Sequence, residues 1–328
     1  MTNPLPPARR VLLSRRHLLA GAGAALALPA LGLVPARAQI LGTEGATAYA
    51  RTVGDIEVTA LLDGYLELGR EVLVNVDADA VSEALADDHL DPGQAVGTGI
   101  TAHLVRAGDR TILIDAGAGA AFGPTAGRLM AGLAAAGAAP EDVGLILLTH
   151  MHGDHIGGLL ADGTPAFPNA EVRVAEADLA FWTDEAIAAA APAEAQPFFA
   201  LPRAVAAAYG ERMTPFSGEG ELSPGVTPVP LPGHTPGHTG FRLASGDATL
   251  FIWADVVHVA AVQFAHPEAS LVFDTDPAQA AETRRRAFEM AAADRLLVAG
   301  AHLPFPTFGY TETAAQGYDW QPEAWQYR

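Results

Sequence analysis

The sequence predicts a mixed α/β domain in which two sheets pack face to face with helices outside. Strand-like runs outnumber helical ones early in each half of the chain, and each half closes with a helix followed by a strand. Neither a sequence repeat nor a linker divides it.

The elements follow in order. Ile56–Leu62 reads as a strand, and residues 100–106 and 111–114 as a strand pair turned at Gly108-Asp109. Residues 125–136 have helical composition and stop at Gly137, a C-cap signal. Residues 145–148 form a short, wholly apolar run, the pattern of a buried strand. Residues 171–175 continue as strand; 176–190 look helical and dissolve into an Ala/Pro segment, 191–202. Three more strands are expected at 226–231, 239–243 and 249–253. A helix over 277–293 has Pro in its first turn, and 295–299 is a last buried strand. The tail from Tyr310, with Tyr318, Trp320, Trp325 and Tyr327, is aromatic enough to pack onto the body.

Residues 1–38 stand apart. Ser14-Arg15-Arg16-His17-Leu18-Leu19 is a twin-arginine pattern, an uncharged Leu/Ala/Gly run follows to Ala36, and Ala36-Arg37-Ala38 is a small-x-small cleavage site. This is the layout of an export signal. Pro29 and Pro35 break the run, which argues against a lasting membrane anchor. Twin-arginine export carries folded protein, so the expected location is periplasmic or secreted. Residues 39–328 are expected to form one domain.

Composition narrows the function. Removing residues 1–38 takes away five arginines and no acids, moving the formal charge from −19 to −24. There is no lysine. Such a surface repels phosphate backbones and anionic lipid, which excludes nucleic acid as a partner. With no cysteine, a metal site must be built from His, Asp and Glu.

One run concentrates such groups: Leu147-Leu148-Thr149-His150-Met151-His152-Gly153-Asp154-His155-Ile156-Gly157-Gly158. Unpaired buried imidazoles and carboxylates cost several kcal/mol each, so a fold has little reason to crowd them without a cation. On extended chain, alternation delivers His150 and His152 to one side. Gly153 allows a turn that sends Asp154 and His155 to a neighbouring position, so two donors for each of two ions is a natural division. Gly157 and Gly158 permit close backbone approach. Further candidate donors lie at strand ends or in loops: His234 in Pro232-Gly233-His234-Thr235-Pro236-Gly237-His238, Asp255 after Trp253-Ala254, and His302 after Ala299-Gly300-Ala301.

This set resembles the metallo-β-lactamase superfamily over essentially all of residues 39–328. His150, His152, Asp154 and His155 match its H-x-H-x-D-H motif. His234, Asp255 and His302 match the later loop histidine, the bridging aspartate and the last ligand. Asp115, in Ile114-Asp115-Ala116-Gly117, matches the early strand-end aspartate that supports the metal loop. The resemblance implies an αββα four-layer sandwich with the metals at one edge between the sheets. It implies one divalent ion on His150, His152 and His234 and a second on Asp154, His155 and His302. Asp255 would bridge them together with a water or hydroxide, the nucleophile of a hydrolysis in which Asp154 or Asp255 relays the proton. Zn²⁺ is the expected metal, though nitrogen and oxygen donors also accept Mn, Co, Fe or Ni. His238 is left as a loop support.

Within the superfamily, Asp255 argues against β-lactamase activity. A single basic residue after His302, Arg328, argues against a glutathione thioester hydrolase, and the charge argues against a nuclease. His302-Leu303-Pro304-Phe305-Pro306 and Trp253-Ala254-Asp255-Val256-Val257-His258 resemble the group of methyl parathion hydrolase and its lactonase and arylesterase relatives. A homodimer is suggested by the same group. Many lactonases of the superfamily carry tyrosine three residues after the bridging aspartate; here that place is His258, a polar group suited to a substrate carbonyl. Phe122, Trp182, Phe198, Phe199, Leu271 and Phe273 are the expected apolar pocket wall. The expected substrates are lactones and aryl esters. Organophosphate triesters are the alternative, and a non-catalytic metal-binding protein of the same fold is a further one.

Overall fold

The structure is a computed structural model that describes residues 47–193 and 195–326. The proposed signal, residues 1–38, and Tyr327 lie outside them. Two sheets dominate, and in each the strands are neighbours in chain order. The first is seven-stranded: β1 (Ala48–Val53), β2 (Ile56–Leu68), β3 (Val96–Ala107), β4 (Arg110–Ile114), β5 (Leu145–Leu147), β6 (Glu171–Ala175) and β7 (Met213–Phe216). The second is six-stranded: β8 (Val226–Pro230), β9 (Thr239–Ser245), β10 (Ala248–Ala254), β11 (Leu297–Gly300), β12 (Phe308–Thr313) and β13 (Tyr318–Pro322). β1 to β4 are antiparallel, whereas β4, β5, β6 and β7 run parallel. In the second sheet only β10 and β11 pair in parallel.

Side-chain alternation sorts the apolar residues into layers. Ile112, Ile114 and Leu147 face the second sheet, meeting Phe241, Leu243, Leu250, Ile252, Leu297 and Ala299 in the inter-sheet core. Their neighbours Leu113, Ile146 and Leu148 turn the other way, onto the helical layer of α2 (Leu129–Ala135), α4 (Glu176–Thr183) and α6 (Ala200–Tyr209). Phe251, Trp253 and Val298 face out of the second sheet onto Ala287, Phe288 and Ala291 of α8 (Pro277–Ala293). Each fully buried Val, Leu, Ile or Phe contributes about 1.5–3 kcal/mol. The order is therefore helix, sheet, sheet, helix, as expected. The tail forms β12 and β13, with Trp320 stacked on Phe264 and Tyr318 against Phe288. Near the end of the tail, Glu323 pairs with Arg51 at 2.7 Å.

Some elements differ from the sequence expectation. The expected helix over 125–136 begins only at Leu129. Gly127 has φ +88°, and the buried Asp63 accepts the N–H groups of Gly127 and Leu129, so a distant carboxylate sets the start. The helix over 176–190 breaks at Asp184, whose side chain caps α5 (Glu185–Ala190) through the N–H groups of Ala186 and Ile187. The latter part of the Ala/Pro segment is helical: a 3-10 turn at Gln196–Phe199 leads into α6. The unforeseen α1 (Ala78–Asp87) is capped by Asp77. Two further short helices are α3 (Gly153–Ile156), directly after His152, and α7 (Ala260–Gln263).

Candidate metal centre

The parallel strands deliver the polar residues from their C-terminal ends. β4 ends just before Asp115 (φ +60°), β5 runs into Thr149 and His150, β10 ends at Ala254 (φ +49°) before Asp255, and β11 leads to His302. Two links stitch the sheets together beside this edge. Thr101 donates its N–H to Ala301 O at 3.0 Å, and Thr239 donates to Thr149 O at 2.9 Å. Gly157 and Gly158 sit so close to the carbonyls of Ala118 and Ala116 that a Cβ on either would collide. That is the close approach their sequence position suggested.

The side chains converge on one oxygen, Asp255 Oδ2. Nε2 of His258 and His302 lie 3.1 Å from it, those of His155 and His234 3.2 Å, and that of His150 3.5 Å. Three sets of donors are close enough to share an ion: His150, His152, His234 and Asp255; Asp154, His155 and His302; and Asp255, His258 and His302. Asp255 belongs to the first set, and its Oδ2 also lies within 3.2 Å of His155 and His302 of the second. Nε2 of His155, Nε2 of His234 and Oδ1 of Asp255 are buried with no hydrogen-bond partner. Native interiors rarely leave such atoms unsatisfied, and a cation is what these three lack. The donor set thus fits divalent metal held by nitrogen and oxygen.

The other ring nitrogens are fixed by the surrounding structure. His155 Nδ1 meets Asp115 Oδ2 at 2.8 Å, and Asp115 also accepts the N–H and O–H of Thr149. His234 Nδ1 meets Asp274 Oδ1 at 2.7 Å, and His302 Nδ1 donates to Gly99 O at 2.7 Å. Such partners turn the opposite nitrogen toward a metal. His238 is used up: Nδ1 donates to Leu231 O at 2.9 Å, while Nε2 accepts the N–H of Asp255 at 3.2 Å. It holds the carboxylate's backbone instead of joining the donors.

Electrostatics divide the imidazoles. Burial, aided by neighbouring imidazoles, pushes His150 and His152 well below the usual histidine range. Burial lowers His155 too, but Asp255, Asp154 and Asp115 outweigh it and hold it well above that range. His234 is raised against its burial to about 9 by Asp255 and Asp274, and His302 is raised by Asp255 and Asp154. The carboxylates therefore call for positive charge at His155, His234 and His302, the place a divalent ion would fill.

Sequence reasoning missed four supports. Asp178 accepts the N–H groups of Met151 and Gly237, and Asp274 orients His234. Gln263 accepts the N–H of His258 at 2.7 Å. Arg284, fully buried on α8, donates to the carbonyls of Val256, Pro267 and Ala269. The local sequence gives no signal for Arg284, the first of three consecutive arginines, or for Asp178, two residues after Glu176.

The expected pocket residues are unevenly placed. Trp182 stands edge-on to His152, with ring centroids 5.3 Å apart, and Phe273 lies 5.4 Å from His258. Phe122 is half-buried beside Gly153. Phe199 is buried against Trp182 and Phe181, and Leu271 is fully buried in a short ribbon with Leu73. Phe198 is exposed.

Comparison with known families decides the kinship: the model of the metallo-beta-lactamase superfamily matches residues 95–302. The chain belongs to that superfamily. The matched stretch contains every candidate metal donor. Among solved structures, this superfamily member resembles "hydrolase AbOPH in beta lactamase superfamily" at 34% identity and a TM-score of 0.82, over 86% of this chain and 99% of that one. It resembles AidC, described as a dizinc quorum-quenching lactonase in complex with a product, N-hexanoyl-L-homoserine. There the identity is 26% and the TM-score 0.81, over 86% of this chain and all (100%) of that one. A quorum-quenching N-acyl homoserine lactone hydrolase at 20% identity and a TM-score of 0.54, matched over 79% of this chain and 100% of its own, shares the fold. A search among curated proteins found no match. The metallo-beta-lactamase fold and the His/Asp clusters together make this a metal-dependent hydrolase.

Proposed function

We propose that the chain is a two-metal hydrolase of lactones and aryl esters. The observation that carries this is the convergence of five imidazoles on Asp255 Oδ2, with His155, His234 and Asp255 left with unpartnered buried atoms. The likeness to a dizinc lactonase over 86% of the chain supports it. His150, His152 and His234 would hold one ion, Asp154, His155 and His302 the other, with Asp255 between. Bound there, two divalent ions, Zn²⁺ in the first instance, supply Lewis acidity toward a C=O or P=O and bring the acidity of water to near-neutral pH.

The chain's own groups do the rest. Asp154, half-buried and 3.4 Å from His302 Nε2, can take a proton and pass it outward. Asp255 keeps its carboxylate ionised, since the raised imidazoles of His155 and His302 overcome its burial. His258 is neutral at physiological pH, because burial pulls it down to about 4 against Asp255. Its Nδ1 is buried and unpartnered, which suits a neutral hydrogen-bonding group in the site. A carbonyl substrate uses such a group; a phosphotriester with apolar arms gains less. The organophosphate reading draws its support from the rings of Trp182 and Phe273 beside the donors. A non-catalytic role is opposed by the complete donor set.

The test is kcat/KM of the metal-loaded protein on aromatic lactones, acyl-homoserine lactones, aryl esters and a phosphotriester. A phosphotriester value above every lactone value reverses the ranking. Export through the Arg15-Arg16 signal is part of the proposal, checked by cell fractionation of the wild type and of Arg15→Lys/Arg16→Lys. Solution scattering checks for a homodimer.

A further inference from the structure

We propose that Asp178 is the positioning residue for one half of the metal centre only, the half built from His150, His152 and His234; the inference rests on the two-metal reading above. Asp178 is fully buried on α4. Its Oδ2 accepts the N–H of Met151 at 2.8 Å, and its Oδ1 accepts the N–H of Gly237 at 3.0 Å. Met151 lies between His150 and His152, and Gly237 closes the loop that presents His234. One carboxylate therefore cross-links the two stretches of chain that carry all three imidazoles of that half. A Cβ on Gly237 would run into the backbone of Asp178, so the loop rests directly on the helix at this point.

The other half does not rest on Asp178. His155 is held by Asp115, and His302 by Gly99 O. Among the described residues, no hydrogen bond joins Asp178 to Asp154, His155 or His302. Asp115 also reaches the first half, because the Thr149 hydroxyl it holds lies 3.0 Å from His150 Nδ1. The two buried aspartates thus differ in reach: Asp115 touches both halves and Asp178 one. An asparagine at 178 keeps a single acceptor oxygen and turns an NH₂ toward the second N–H, releasing one loop from the other.

The experiment counts and weighs metal. Wild-type chain, Asp178→Asn and Asp115→Asn are loaded with Zn²⁺, dialysed, and titrated against a competing chelator, with circular dichroism of apo and loaded forms. The wild type is expected to hold two tight ions. Asp178→Asn is expected to keep one at wild-type affinity and weaken the other about 10- to 100-fold. Asp115→Asn is expected to weaken both. In Asp178→Asn/His302→Ala no tight ion should remain, because each substitution disables a different half.

Fewer than two ions on the wild type sinks the two-metal reading itself. Two ions on the wild type with unchanged, or equally weakened, binding in Asp178→Asn overturns the inference alone. So does a double variant that keeps a tight ion. If Asp178→Asn fails to fold, Asp178→Ser is measured in its place. Failure of both assigns Asp178 to folding and also overturns the proposal.

Discussion

His238 Nε2 accepts the backbone N–H of Asp255 at 3.2 Å, so a histidine that does not face the metal centre fixes the carboxylate on which that centre turns. Because its Nδ1 donates to Leu231 O, the ring must stay neutral to do both. Burial secures this by lowering it to about 3. Replacing His238 by Ala leaves a buried N–H without a partner, at a cost of about 1–3 kcal/mol. The expected outcome is that loss in urea unfolding, together with weaker binding of the ions that Asp255 joins. Unchanged stability and metal affinity would refute the assignment.

Asp255→Ala removes the oxygen shared by the two donor sets. It should abolish hydrolysis of every substrate class and leave fewer than two tight ions per chain. Near-full activity in this variant is the result that excludes a bridging role.

Removing the metal by chelation should abolish activity, and Zn²⁺ should restore it. Loaded protein should also unfold at higher temperature than apo protein, since a ligand held 100-fold above its Kd stabilises by about 2.7 kcal/mol. Coincident melting curves would contradict ion binding at the cluster.

His258→Leu should lower kcat/KM for lactones more than for a phosphotriester. Equal losses on both would dismiss His258 as the group that engages a carbonyl.

His103 gives a pH prediction away from the metal. It is buried against Thr307, and burial lowers it to about 3. The unfolded chain then takes up a proton below about pH 6.5 that the folded chain refuses down to about 3, so stability falls as pH drops through that window. The slope is at most about 1.4 kcal/mol per pH unit for this group. His103→Gln should remove that share, read from urea unfolding between pH 6.5 and 4. Parallel curves for the two proteins would rule it out.

The layers and the candidate donors were legible because each rests on local sequence. Period-two alternation at Ile112, Leu113 and Ile114 gives the two faces of a strand, and the donors fall at strand ends where an apolar run meets a charged residue. The supports were not legible, for the opposite reason. Asp178 lies 27 residues from Met151 and 59 from Gly237, and Asp63 lies 66 from Leu129. Nothing near them in sequence shows which N–H they accept. The shortened α2 and the broken helix at Asp184 have the same source: a carboxylate claimed backbone donors where composition alone continued the helix.

The donors are drawn from both sheets, from the end of β5 in the first and from the β8–β9 loop, β10 and β11 in the second, and they span positions 150 to 302. This sets an order of events during synthesis. The H-x-H-x-D-H run leaves the ribosome half a chain before the residue at 302, and its partners stay apart until the sandwich closes. A complete set of donors is therefore a late product of folding: no ion can be held by all of them until β11 has joined the second sheet and carried His302 into place.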